Sequence, residues 1–292
     1  MNIGSDRISP TAFYTGHVWC KNNLSHPALD TRTGAFLFGA LRPLARLNQA
    51  LSGSLTLEQM LLSRHLLIDF LLAQAIEAGQ VNQVVEIAGG LSGRGLRMSE
   101  RYKDRGLLYI EGDLPGMAER KRRILGRAGL LSERHQVVAL DALVESGPLS
   151  MQVEVGSKLI KSQGTAVIIE GLLSYLPHAG MERVLLNVRK LIEATSGGVF
   201  LSDIYLSEHV NRVAGGLLFR RLLEIFVRGQ TYLHFQRESE AEAAFKAHGF
   251  ERTRIHDPRE HALKMGLWDG SKSGPTPVHI AEAWVQKGLE LL

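Results

Sequence analysis

From Gln83 onward the chain alternates short, nearly uniform apolar runs with longer amphipathic stretches, and this alternation restricts the fold more than any other feature. The runs are Gln83–Ala88, Leu107–Glu111, Gln136–Leu140, Ala166–Ile169 and Gly198–Ser202. The first four are rich in Val, Ile or Leu and are bounded by Gly, Asp or Glu. Successive strand side chains point to opposite faces, so a strand that is apolar throughout must be covered on both. Such strands separated by helices predict an α/β fold, a doubly wound and mostly parallel sheet between helical layers. Two late runs, Phe250–His256 and Val278–Val285, follow with no helical segment between them. They predict an antiparallel hairpin at one edge of a seven-stranded sheet.

The flanks read as helical additions to a single domain over residues 1–292. A helical N-terminal cap occupies 1–80, the core 83–205, a helical lid insertion 206–236, and a helix with the strand hairpin 237–292. In the cap, Met60, Leu61, Leu67, Ile68, Leu71, Leu72 and Ile76 recur at helical spacing over Glu58–Glu77, and Gly79 is a stop signal. Further helices are expected at His209–Val227 and Ser239–Ala247.

With 292 residues, 45% of them hydrophobic, the chain can bury a core without covalent staples. The lone cysteine, Cys20, cannot form an internal disulfide or a cysteine zinc cluster, which points to a reducing, cytoplasmic setting and to no metal. Residues 1–10 lack the apolar core of a secretory signal, and no apolar stretch is long enough to span a bilayer. The net charge of +4 is spread among interspersed acids, so no nucleic-acid track is expected.

The chemistry concentrates where the apolar runs end. After the first run, Ala88-Gly89-Gly90-Leu91-Ser92-Gly93-Arg94-Gly95 forms a glycine-rich turn into a helix. Glycines let a backbone approach a ligand, and a helix N-terminus offers free N–H groups. Glu86 lies just ahead of the turn; an acid there repels a pyrophosphate but can hold an ammonium. The second run leads to Asp113, where a carboxylate can accept both hydroxyls of a ribose. Asp141 follows the third run and can accept from an adenine amino group, with the next backbone N–H facing the ring. Glu170 follows the fourth and can attract an ammonium or sulfonium, with Tyr175 adding a cation–π contact. The plainer readings are helix N-caps for the two aspartates and a buried, paired structural acid for Glu170.

These blocks resemble the leucine carboxyl methyltransferases, and more closely their bacterial polyketide O-methyltransferase relatives of the tetracenomycin type. The resemblance rests on Gly89 to Gly95, on Tyr109 to Pro115 with Lys121, and on Glu170-Gly171-Leu172-Leu173-Ser174-Tyr175-Leu176-Pro177. Ser9 to Ala12, Tyr14 to Gly16, Trp19 and the closing Val278 to Trp284 extend it over nearly the whole chain. It implies a Rossmann-like fold with S-adenosyl-L-methionine as methyl donor. By that resemblance Asp113 and the neighbouring Leu114 meet the ribose, Asp141 and Ala142 the adenine, and Glu170 the methionine ammonium region. Glu86, Ala88 and Gly89 form the rest of the cradle, and Arg64 is the arginine that meets the cofactor carboxylate. Two departures stand out: Ser92-Gly93-Arg94 where the family has Asp-Thr-Arg or Ser-Pro-Arg, and Ala88-Gly89-Gly90 in place of Gly-x-Gly.

The expected activity is methyl transfer to a carboxylate or phenolic oxygen of a small molecule. A phenol would benefit from a general base, for which His17, His178, His209 and His234 are candidates. Tyr14, Trp19, Tyr175 and Phe219 are candidates to line the acceptor pocket, and Arg220, Arg221 or Arg228 to recruit an acidic acceptor. Two rival readings are a nicotinamide-dependent oxidoreductase, disfavoured by the missing G-x-G-x-x-G, and a non-catalytic S-adenosylmethionine-binding protein.

Overall fold

The computed structural model describes residues 10–41, 56–212, 231–266 and 276–286. Seven strands form one sheet: β1 (Gln83–Ile87), β2 (Leu108–Asp113), β3 (His135–Ala139), β4 (Thr165–Ile169), β5 (Gly197–Tyr205), β6 (Arg252–His256) and β7 (Val278–Gln286). Their order is β3-β2-β1-β4-β5-β7-β6. β1 pairs in parallel with β2 and β4, β2 with β3, and β4 with β5. β7 is antiparallel to both β5 and β6 and lies between them.

The main helices are α1 (Pro10–Lys21), α2 (Leu57–Glu77), α3 (Arg94–Arg101), α4 (Pro115–Arg127), α5 (His178–Glu193), α6 (Glu238–Ala247) and α7 (Pro258–Lys264). Alternation along the strands divides the core in two. Val85, Ile87, Ile110, Val167, Ile169 and Phe200 pack with Val184, Leu185, Val188 and Leu191 of α5. Val84, Tyr109, Ala166, Ile168, Val199 and Leu201 pack with Leu67, Ile68, Leu71 and Leu72 of α2. α2 begins at a reciprocal cap: Thr56 Oγ1 accepts from Gln59 N, and Gln59 Oε1 accepts from Thr56 N.

The expected strands all form, within a few residues of their predicted ends. The late hairpin is corrected in one respect. α7 stands between β6 and β7, started by Asp257, whose side chain accepts from Arg259 N, and by Pro258 at its first position. β6 and β7 do pair antiparallel at the sheet edge, joined through α7, with β7 lying beside β5. Most of the predicted helix His209–Val227 lies outside the described residues, and so do Phe219, Arg220, Arg221 and Arg228. Its start does form, as the short helix Ser207–Arg212. The return segment is also placed: Phe235 bridges Leu206, and Tyr232 N donates to Ser174 O at 2.7 Å. No helix among the described residues is long and apolar enough to cross a membrane.

Candidate functional site

The strand order lines up the carboxyl ends of β3, β2, β1, β4 and β5. In such sheets this edge is where ligands bind. The turn after β1 bends through Ala88 at φ 56° and Gly90 at φ 54°. A Cβ at Gly90 would both occupy this left-handed conformation and stand 3.2 Å from the Ala12 side chain of α1, a tight contact that favours glycine. Ala88 holds a left-handed conformation that costs a side-chain residue about 1–2 kcal/mol. Its amide is fixed by Gly112 O at 2.7 Å.

Asp113 closes β2. Its Oδ2 accepts from Gly90 N at 3.0 Å and its Oδ1 from Leu114 N at 2.8 Å. Each oxygen therefore keeps a second lone pair. Burial raises its pKa above the ordinary carboxylate value, although both amides oppose this. The next residue, Leu114, is 43% exposed, an unusual site for a large apolar side chain beside a carboxylate. At the end of β3, Asp141 Oδ1 accepts from Leu143 N at 2.9 Å, and its Oδ2 has no hydrogen-bond donor among the described residues. The loop is anchored through Asn187 Nδ2, which donates to Ala142 O at 3.0 Å. Neither aspartate caps a helix: α4 starts after Leu114 with no side-chain cap, Asp141 opens a turn, and each spends only part of its acceptor capacity on backbone amides.

Glu86 and Glu170 are arranged differently. Arg94 opens α3, is fully buried and reaches three carboxylates: Asp69 through Nε, Glu86 through Nη1 and Glu170 through Nη2, each at 2.5 Å. The second oxygen of Glu86 accepts from Tyr109 OH at 2.7 Å. Glu86, expected at an ammonium group, is therefore directed into the protein and braces the turn from below. Glu170 accepts from Arg64 Nε at 3.0 Å and lies 2.8 Å from His65 Nδ1. Arg97 Nη2 stands 2.9 Å from His65 Nε2. Arg94 Nη2 also stands 2.7 Å from His65 Nδ1, so guanidinium donors approach both ring nitrogens. Burial alone would raise the Glu170 pKa, but His65, Arg94 and Arg64 hold it well below the ordinary range.

Arg64 continues the row to β5. Its Nη1 donates to Asp203 Oδ2 at 2.9 Å and to Tyr205 OH at 3.3 Å. Three guanidiniums (Arg64, Arg94, Arg97) face four carboxylates (Asp69, Glu86, Glu170, Asp203), with His65 between Asp69 and Glu170. Tyr175 lies partly exposed in the loop after β4, its pKa pushed up to about 12 by burial. Below Asp113, a second cluster pins α4 to the turn: Lys121 Nζ pairs with Glu111 and donates to Ser92 O at 2.7 Å. His135 Nε2 closes that cluster at 2.6 Å from Glu111.

Tyr14 and Trp19 fall elsewhere. Both are buried in the cap, Tyr14 against Phe38 and Trp19 stacked on His65 at 4.2 Å. Trp19 thus touches the charge cluster through His65 and does not line an open pocket. The candidate bases are dispersed: His17 pairs with Asp30, His178 with Glu182, His209 packs on His279, and His234 Nε2 lies 3.0 Å from Leu173 O. His65, Asp69, Arg94, Arg97, Asp203 and Tyr205 carried no expected role. Their signal was present as polar residues one, four and five positions apart inside a largely apolar helix (Arg64, His65, Asp69), and as an acid near the end of the fifth strand.

A family model described as "Leucine carboxyl methyltransferase" matches residues 37–189. A Mycobacterium tuberculosis protein named "Putative S-adenosyl-L-methionine-dependent methyltransferase" is 29% identical over 194 residues, 66% of this chain and 59% of that one. A Mycolicibacterium gilvum protein of the same name is 32% identical over 114 residues, 39% of this chain and 35% of that one. The chain thus spans about three fifths or less of the curated relatives it matches. Among solved structures, an O-methyltransferase family protein from Burkholderia thailandensis superposes with a TM-score of 0.52 at 15% identity, over 83% of this chain and 60% of that one. That likeness concerns the fold. Matched over more than half its length by the family model, and carrying the acids and glycine turn expected of it, the chain belongs to the leucine carboxyl methyltransferase family.

Proposed function

We propose that the chain is an S-adenosyl-L-methionine-dependent methyltransferase that methylates a carboxylate or phenolic oxygen of a small molecule. The observation that carries this reading is the order of spare hydrogen-bonding capacity along the sheet edge. Acceptors come first, at Asp141 and then Asp113, and a donor follows at Arg64 beside Glu170. A cofactor ending in an adenine, a ribose and an amino-acid carboxylate presents donors, donors and an acceptor in that same order. Three strand spacings, about 14 Å, separate the ends of β3 and β4.

S-adenosyl-L-methionine supplies a methyl group bound to a positively charged sulfur. The protein's own part is alignment and exclusion of water. Asp113 and Asp141 fix the nucleoside end. Exposed Leu114 offers an apolar platform beside it. Arg64, held by Glu170 and Asp203, fixes the amino-acid end, and Tyr175 borders the space between. A carboxylate acceptor needs no proton removed, so the dispersal of the histidines suits that acceptor best. The test is transfer of labelled methyl from S-adenosyl-L-methionine to a panel of small carboxylic acids and phenols. Label on a carboxylate or phenol, absent with Asp113→Ala, supports the reading; label on amines alone would overturn the oxygen assignment.

A further inference from the structure

Asp203 ends the row on β5, is 3% exposed, and its carboxylate serves two elements at once. Its Oδ1 accepts from Gly171 N at 2.6 Å, and its Oδ2 accepts from Arg64 Nη1 at 2.9 Å. Gly171 takes φ 75°, and a Cβ there would stand 3.2 Å from Arg64 Nη2. The guanidinium is thus held along two of its sides, by Glu170 at Nε and by Asp203 and Tyr205 at Nη1. Its remaining nitrogen, Nη2, has no hydrogen-bond partner among the described residues and faces the space that a side chain at 171 would fill.

We propose that Asp203 is a positioning residue: it aims the free Nη2 of Arg64 at the carboxylate of the cofactor's amino-acid end, in the space that Gly171 keeps open. This rests on the S-adenosyl-L-methionine reading above. One side chain sets both halves of the arrangement, since it fixes the arginine and also the loop whose missing Cβ gives the carboxylate room. An asparagine would keep an acceptor for Gly171 N. It would also bring a second donor against Arg64 Nη1, or reverse that choice, and so release one of the two. A role confined to neutralising a buried arginine would instead weaken the protein without distinguishing between ligands.

The experiment is calorimetric titration of S-adenosyl-L-methionine and of its decarboxylated analogue, which keeps the sulfonium and ammonium but has no carboxylate. Both are run on the wild-type chain and on Asp203→Asn. A charge-assisted hydrogen bond supports an expected loss of about tenfold for the intact cofactor in the variant, with the analogue unchanged within about twofold. Equal losses for both ligands, or no loss for the intact one, would overturn the proposal while leaving the cofactor assignment standing. Wild-type protein that binds neither ligand would remove the cofactor assignment and the proposal with it. If Asp203→Asn fails to fold by circular dichroism, Tyr205→Phe loosens the same nitrogen more gently. It should then cost the intact cofactor alone about threefold, and an unchanged affinity there would also overturn the proposal.

Discussion

The two halves of the sheet edge use the same residue type in opposite ways. At β3 and β2, Asp141 and Asp113 accept only from backbone amides and retain unused lone pairs. At β1, β4 and β5, Glu86, Glu170 and Asp203 are joined to arginines brought by the helices α2 and α3. An acid at the end of a parallel strand is therefore not a ligand group by position alone. What lies beneath it decides. Where a helix delivers a guanidinium the acid becomes a clamp, and where it delivers none the acid keeps spare acceptor capacity. Lys121, near the β2 end, is taken by Glu111 two residues before Asp113 and by Ser92 O, and so leaves Asp113 its spare acceptors.

The contrast can be broken most severely at Arg94. Arg94→Ala leaves Asp69, Glu86 and Glu170 buried without their shared partner, and removing one member of a buried ion cluster costs about 3–5 kcal/mol. Urea denaturation should show a loss of that size, and a loss below about 1 kcal/mol would mean the cluster is not what holds the clamp half together. On the other half the balance reverses. Asp113→Ala removes only two amide contacts and should cost about 1 kcal/mol of stability. It should weaken S-adenosyl-L-methionine binding by about a hundredfold, since two hydroxyl bonds to a charged group are lost. Unchanged affinity in that variant would remove the ribose assignment.

The smallest effect separates the clamp from its neighbour on β7. His279 is buried beside His209, with Nε2 3.8 Å from Glu238 and no hydrogen-bond partner for either ring nitrogen among the described residues. Burial pushes its pKa down to about 4, against the attraction of Asp257. The unfolded chain therefore takes up this proton first as pH falls. Stability from the neutral ring is present above pH 6.5 and is lost as pH drops toward 4, by on the order of 2 kcal/mol between pH 6.5 and 4.5. The Glu170 carboxylate, with its lowered pKa, gives up its contribution only below that window. His279→Gln should flatten the urea-midpoint profile between pH 6.5 and 4.5, whereas an unchanged slope would assign the acid sensitivity elsewhere.

The sheet was readable because fully covered strands leave long apolar runs, and because acids and glycines punctuate their ends. Asp113, Asp141 and Glu170 came from that punctuation. The helix α7 between β6 and β7 was missed because Pro258 to Lys264 is only seven residues long and too polar to show a helical stripe. The direction of Glu86 was missed for a different reason. A strand residue's face follows from parity, but whether the space beneath it holds Arg94 depends on how α3 packs, and no local pattern encodes that. Trp19 was misjudged on the same ground: an aromatic in a cap helix can line a cavity or seal it, and here it covers His65. Arg94 was noticed only as part of an altered motif, although its partners Asp69, Glu86 and Glu170 span a hundred residues of sequence.

The claim on which this account turns is that the edge from β3 to β5 is built for an adenosyl group ending in an amino acid. Calorimetry with S-adenosylhomocysteine and with NAD, on the unmodified chain at neutral pH, tests it in one comparison. The account predicts saturable binding of S-adenosylhomocysteine at one site per chain and no measurable heat from NAD. Saturable binding of NAD with no response to S-adenosylhomocysteine would contradict it.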